Sequence, residues 1–144
     1  MGRIVEFRGI PIHSPRPLEE DDLQVLRRAR SQGAPEEYLE FIEIANGGSI
    51  DHVFREPEDE ECYASIDWVF CARSILDDYW CVRYLNEAAF PLFSCGGIGY
   101  RVFVGESGAI YYLRHDYFPQ EAELGAVRLA NSLFEFCDSL VLFE

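Results

Sequence analysis

The chain has 144 residues and a formal charge of −14, from 26 acidic residues against 12 basic residues, every one of them arginine. Its hydrophobic share of 49% and its length suit one domain with a core of its own, and they exclude a disordered chain. The charge argues against nucleic acid and anionic membranes as partners, because binding phosphate requires a basic surface, and it favours a basic partner weakly.

The N-terminal residues 1–16 are rich in proline and predict an irregular segment with one short strand at Ile4–Phe7. They lack the apolar core and small-residue cleavage site of a secretory signal, and no run of about 18 apolar residues suggests a membrane span. Five cysteines, an odd number without a CxxC pair, are typical of core residues in a reducing compartment. We therefore expect a soluble, cytoplasmic protein.

Two helices are predicted next. The first, over about 17–31, has acidic residues in its opening turns and arginines near its end, and Gly33 supplies a stop. The second begins at Pro35, in the first helical position, and buries Tyr38, Phe41, Ile42 and Ala45 on one face. Asn46-Gly47-Gly48 then reads as the end of this helix, with Asn or Gly taking a positive φ, rather than as a hairpin turn.

The middle of the chain is predicted to contain an exposed loop, a strand and a short helix. Residues 51–61 hold six acidic residues and predict the loop, and 62–70 alternate as a strand with Cys62, Ala64, Ile66, Trp68 and Phe70 on one face. Trp68 is in phase with Ile66 and Phe70, which favours a place in the core. Residues 74–86 suit a short helix or a strand, and we choose the helix.

Three strands and a closing helix complete the prediction. The strands cover 90–93, 99–104 and 109–114, and GESG at 105–108 joins the last two as a hairpin. The helix opens with Ser132 and Glu135 in capping-box spacing and buries the stripe Leu133, Phe136, Cys137 and Leu140. Two helices, a run of antiparallel strands and a final helix indicate an α+β domain.

Three segments, in this order, resemble the SUKH superfamily: PEEYLEFIEIANGG; FPLFSCGGIGYRVFV followed by GAIYYLRHD; and LANSLFEFCDSL. The superfamily includes fungal Smi/Knr-type regulators of cell-wall synthesis and many bacterial toxin-immunity proteins. The resemblance implies a single α+β domain over 1–144, with a curved, mostly antiparallel sheet flanked by helices and no enzymatic activity. The chain departs from the pattern in its apolar turn at 95–99, at Leu133 in place of an aromatic residue, and over 51–89.

Three other patterns invite a chemical interpretation. CGGIG at 95–99 could be a phosphate loop, but it leads into a strand and no lysine follows, which favours a turn or bulge. Cys95 and His115 could form a nucleophile and its base, yet nothing in the sequence supplies the positive environment that ionises a thiol. His115-Asp116 reads more simply as the start of a loop. We predict no catalytic residue, no metal site and no cofactor.

The acidic segment has two interpretations, a solvated loop or a contact surface for a basic protein such as a nuclease. On the second, the partner-binding residues are Asp51, Glu56, Glu58, Asp59, Glu60 and Glu61, extended by Glu40 and Glu43 on the second helix. The sequence then favours a monomeric or weakly dimeric immunity protein that neutralises a toxin by covering its active site. The alternatives are a cell-wall or signalling scaffold and an enzyme with a thiol site.

Overall fold

Nine strands and three helices are formed by the residues that the computed structural model describes, 2–56, 59–75, 87–95, 100–114 and 126–142. The elements are β1 Ile4–Phe7, β2 Ile10–His13, α1 Glu20–Ser31, α2 Glu36–Ala45, β3 His52–Glu56, β4 Asp59–Val69, β5 Ala89–Cys95, β6 Tyr100–Gly105, β7 Ile110–Arg114, β8 Ala126–Ala130, α3 Leu133–Ser139 and β9 Val141–Leu142. The predicted α+β class is confirmed.

Seven strands form one sheet in the order β8-β7-β6-β5-β4-β3-β9, and every described pair is antiparallel. The sheet is strongly curled: the rings of Phe54 on β3 and Tyr112 on β7 lie 5.2 Å apart, although three strands separate them. In a flat sheet four strand spacings would hold these strands about 19 Å apart. The curved antiparallel sheet that was predicted is therefore present.

The core fills the concave side of this sheet, where α2 and α3 pack. Phe41 of α2 meets Phe93 of β5 with ring centroids 5.8 Å apart, and Phe136 of α3 meets Phe54 at 5.6 Å. All four rings are at least 97% buried, so they supply a large part of the hydrophobic stabilisation. The stripe predicted on α3, including Leu133 and Leu140, is buried as expected.

The central strands are buried on both faces. Every residue of β5 is buried, and Phe103 and Leu113 are fully buried outside the main core cluster. Since Val102 and Tyr112 face that cluster, their chain neighbours Phe103 and Leu113 point to the opposite face. Burial on both faces explains why these strands read as continuous apolar runs.

α2 follows its prediction closely. Tyr38, Phe41, Ile42 and Ala45 are all fully buried, but Pro35 is the N-cap, one position before the expected first helical residue. Tyr38 donates a hydrogen bond from its hydroxyl to the carbonyl oxygen of Pro91 at 2.7 Å. Burial raises the pKa of Tyr38 well above its ordinary value, which keeps the hydroxyl a donor.

Two predicted irregular segments are strands. Within 1–16 the strand Ile4–Phe7 is confirmed, but it pairs with β2 through an Arg8-Gly9 turn in which both residues have positive φ (52° and 82°). This two-residue turn matches the twist of paired strands, and β2 turns Ile10 and Ile12 inward. The prolines that suggested irregular structure are compatible with a short two-stranded hairpin.

The prediction of a loop at 51–61 is also wrong, because β3 and the start of β4 form a hairpin there. β8 and β9 were not predicted, and α1 begins three residues later than expected. Of the ambiguous segment 74–86 only Ser74 and Ile75 are described, at the end of a 3-10 turn over Ala72–Ser74. The remainder of that prediction lies outside the described residues.

The predicted β6–β7 hairpin is confirmed, and one carboxylate braces its turn. Glu87 accepts hydrogen bonds from the Ser107 backbone N–H at 2.6 Å, the Ser107 hydroxyl at 2.9 Å and the Tyr111 hydroxyl at 2.7 Å. Desolvation raises the pKa of Glu87, but these hydrogen bonds together lower it by a larger amount. The pKa therefore lies below its ordinary value. The ionised carboxylate therefore stabilises the hairpin.

Candidate partner-binding surface

The last acidic residues of the predicted segment 51–61 lie at the end of the β3–β4 hairpin. Strand pairing runs from Val53–Ser65 to Glu56–Asp59, with a register shift between Arg55, which pairs with Tyr63, and Glu56. Residues 60–62 of β4 therefore have no counterpart on β3, which makes a bulge at the tip. Pairing and bulge together place the acidic run at one end of the molecule's sheet.

The eight predicted partner-binding residues do not lie together. Glu56, Asp59, Glu60 and Glu61 lie on β3 and β4 near the tip, and Glu58 lies outside the described residues. Asp51 is exposed, but it precedes β3, at the end of that strand opposite the tip. His13 Nε2 lies 3.0 Å from Asp51 Oδ2. Glu40 and Glu43 belong to a different element, α2, and both are exposed there. Strand pairing thus groups the acids of the hairpin tip, whereas Asp51 and the α2 pair are not part of that group.

Trp68 is half exposed, at 50%, so the predicted place in the core is wrong. Ile66 pairs with Cys95 and Trp68 pairs with Ser94, so β4 advances two residues while β5 advances one. This bulge reverses the alternation: Ala64, Ile66 and Val69 face the core, and Trp68 points away from it. Cys62 was assigned to the buried face as well, and it too is exposed.

A second half-exposed aromatic side chain lies near the acidic tip. Tyr63 is 49% exposed, and the guanidinium carbon of Arg55 lies 5.9 Å from the centre of its ring. Tyrosine, tryptophan and arginine are the residues that most often dominate the binding energy of protein interfaces. The sequence did not single out Arg55, because its position opposite Tyr63 depends on the strand register.

Two of the four described cysteines are buried, as expected for structural residues. Cys95 is 1% exposed and Cys137 is 4% exposed, and burial raises the pKa of Cys137 to about 12. Such a thiol stays protonated at neutral pH and is a poor nucleophile. The predicted turn at 96–99 and the proposed base His115 lie outside the described residues.

Among the described residues, no three His, Cys, Asp or Glu side chains are grouped so that they could hold a metal ion. No described helix is both long enough and apolar enough to cross a membrane.

The Asn-Gly-Gly segment ends α2 as predicted, and the side chain of Asn46 does more than the sequence indicated. It is 1% exposed, accepts a hydrogen bond from the Ala72 N–H at 2.7 Å and donates one to the Arg16 carbonyl at 3.2 Å. The Asn46 carbonyl also accepts from the Arg16 N–H at 2.8 Å. Gly47, with φ of +71°, supplies the left-handed conformation that ends the helix.

Two neighbouring pockets open at this junction, and Arg16 and Cys71 line both of them. One, of about 180 Å³, also includes Asp22 and Arg73, and the other, of about 280 Å³, includes Trp68. Arg73 forms ion pairs with Glu19 at 2.9 Å and Asp22 at 3.6 Å. The hydrogen bond that Arg73 donates to Glu19 is the main reason why the pKa of Arg73 is raised.

Comparison of the chain with models of protein families and with curated proteins found no match.

Proposed function

We propose that this chain is a non-enzymatic binding domain that neutralises a basic toxin, of the nuclease type, by covering its active site in the cytoplasm. The observation that carries the proposal is the acidic run at the tip of the β3–β4 hairpin, in a chain of net charge −14. The resemblance of three sequence segments to the SUKH superfamily, which includes immunity proteins, supports the same interpretation.

The hairpin suits this role for a structural reason. A solvated loop would spread its carboxylates over many conformations, whereas paired strands fix the backbone of Glu56 and Asp59 opposite each other. Because the hairpin backbone is ordered before the partner arrives, less conformational entropy is lost on binding. The carboxylates that this hairpin carries can then occupy the positions of substrate phosphates in a basic cleft.

The charge predicts how binding depends on salt. Charged surfaces of opposite sign accelerate the encounter of two proteins, and the effect weakens as ionic strength rises because the Debye length falls to about 8 Å at 0.15 M. We therefore expect the association rate to fall steeply with salt, while the dissociation rate changes little.

Coexpression with the product of the adjacent gene tests the function. The proposal predicts that the chain abolishes the toxicity of that product, and that the purified proteins form a complex in which nuclease activity is lost. A neighbouring product that is not toxic, or that stays toxic when the complex forms, would contradict neutralisation. Binding without loss of toxicity would favour the scaffold alternative.

Two charge variants test the contact surface. The first changes Glu58, Glu60 and Glu61 to glutamine, and the matched control changes exposed acids elsewhere, Glu6 and Glu20 to glutamine and Asp21 to asparagine. Both variants carry a net charge of −11, which is −14 plus three. We expect the hairpin variant to associate roughly tenfold more slowly at low salt and the control to change less than threefold. Equal effects would show that only net charge matters.

A further inference from the structure

The pocket beside Trp68 combines one planar apolar wall with one positive charge. It has a volume of about 280 Å³, and its lining includes Arg16, Gly47, Trp68, Cys71 and Ser74. We call these five residues the Arg16 pocket. Trp68 reaches it only because the β4 bulge points the indole away from the core. An indole offers a large apolar surface and one N–H donor.

Arg16 is the residue of this pocket that can bind an anion. Within the part of the chain that the structure describes, its side chain forms no ion pair, whereas Arg73 in the adjoining pocket is bound to Glu19 and Asp22. A guanidinium presents several donors in one plane and matches a carboxylate in geometry. One positive charge is therefore open to a ligand.

The backbone around Arg16 is held in place before any ligand arrives. Asn46 bonds both the N–H and the carbonyl of Arg16, and it also bonds the N–H of Ala72, which follows Cys71. The Arg16 side chain lies over Gly47, where an added Cβ would stand 3.6 Å from its Cδ. The buried Asn46 thus fixes two walls of the pocket relative to each other.

We propose that the Arg16 pocket binds a single carboxylate attached to an apolar group, with the carboxylate on Arg16 and the apolar group against Trp68. The volume suits one side chain or one terminal residue of a peptide and is below that of most pockets for drug-sized ligands. A polyanion is disfavoured, because the net charge of −14 repels it and Arg16 is the single arginine among the residues that line the pocket. This site is independent of the acidic hairpin and of the proposed toxin.

A titration with N-acetylphenylalanine tests the proposal directly, because that probe carries one carboxylate beside one aromatic ring. In a ¹⁵N-labelled sample we expect the Arg16 Nε and Trp68 indole signals to shift and saturate, with Kd on the order of 1 mM for a probe of this size. The neutral amide of the same probe should bind at least fivefold more weakly. Acetate and inorganic phosphate should also bind at least fivefold more weakly.

Variants assign the binding to the named side chains. Arg16→Gln and Trp68→Ala should each raise Kd at least fivefold, and the backbone amide spectrum of each shows whether it is folded. Arg27→Gln is the matched control, since Arg27 is an exposed arginine on α1, and it should leave Kd unchanged. Shifts that do not saturate, an amide that binds as well as the acid, or an unchanged Kd in Arg16→Gln would overturn the proposal. Equal affinity for phosphate would overturn the claim that the apolar group of the ligand contributes to binding.

Discussion

Asn46→Ala should lower the free energy of unfolding by about 2–4 kcal/mol, because it removes the partners of two main-chain groups. Ala72 is fully buried, and its N–H donates a hydrogen bond of 2.7 Å to the Asn46 side-chain oxygen. Leaving such a donor unsatisfied costs about 1–3 kcal/mol. The Arg16 carbonyl bond is longer, 3.2 Å, and only partly buried, so its loss adds about 1 kcal/mol.

The backbone of Asn46 does not explain the predicted loss. Its φ of −26° lies outside the left-handed region, and its main-chain bonds to Ile42 and Arg16 survive the substitution. A matched control is Asn131→Ala, since Asn131 is exposed and accepts one hydrogen bond from Arg128. Surface changes of that kind usually alter stability by less than about 0.5 kcal/mol.

Urea denaturation followed by far-UV circular dichroism measures both variants, and an unchanged m value would show that the unfolded state is comparable. Hydrogen exchange of the Ala72 amide should accelerate in Asn46→Ala. A loss below about 0.5 kcal/mol, with the Ala72 amide still protected, would refute the view that the Asn46 side chain joins these segments.

Three further changes have defined outcomes. Glu87→Gln should destabilise the protein at pH 7 by less than about 1 kcal/mol, because the carboxylate is partly solvated. Since the folded pKa of Glu87 lies below its ordinary value, the deficit relative to wild type should be lost as pH falls through that folded pKa in pH-dependent urea titrations. Gly48→Ala should cost about 1–3 kcal/mol in the same assay, because a Cβ there would lie 2.7 Å from Ile12 Cγ2. Cys137, with a pKa of about 12, should resist iodoacetamide at pH 8 until the protein is unfolded, as mass spectrometry would show.

Each of these outcomes can fail on its own. A Glu87→Gln deficit that persists unchanged at pH 3 would show that ionisation of the carboxylate does not stabilise the hairpin. Wild-type stability in Gly48→Ala would mean that the close approach to β2 relaxes without cost. Alkylation of Cys137 in the native protein at the rate of an exposed thiol such as Cys62 would contradict its burial.

Elements whose determinants lie within one or two turns of chain were predicted well. α2 has its apolar stripe and its glycine stop inside one short segment, and α3 has a cap in which the Ser132 side chain accepts from the Glu135 N–H at 3.1 Å. The hairpin of β6 and β7 likewise depends on a local glycine turn. These features require no information about distant residues.

The candidate surfaces were predicted only in part, for a physical reason. Acidic composition identified the segment 51–61, but its hairpin depends on pairing of β3 with β4 and on a β9 strand that arrives from the far end of the chain. The exposure of Trp68 depends on its register with β5, 26 residues away at Ser94. Alternation along one strand cannot reveal a bulge that the partner strand imposes.

The sequence by itself determined the α+β class, the C-terminal ends of α1 and α2, the central strands and the strong negative charge, because these follow from composition and local periodicity. Only the tertiary structure decided which groups meet: the Asn46 side chain with the main chain of Arg16 and Ala72, the ring of Phe54 with that of Tyr112, and Trp68 with Arg16 in one pocket. These contacts join residues that are tens of positions apart in the chain, and they depend on the curvature of the sheet. The same Asn-Gly-Gly that marks the end of a helix in the sequence therefore becomes, in the fold, the junction on which a pocket is built.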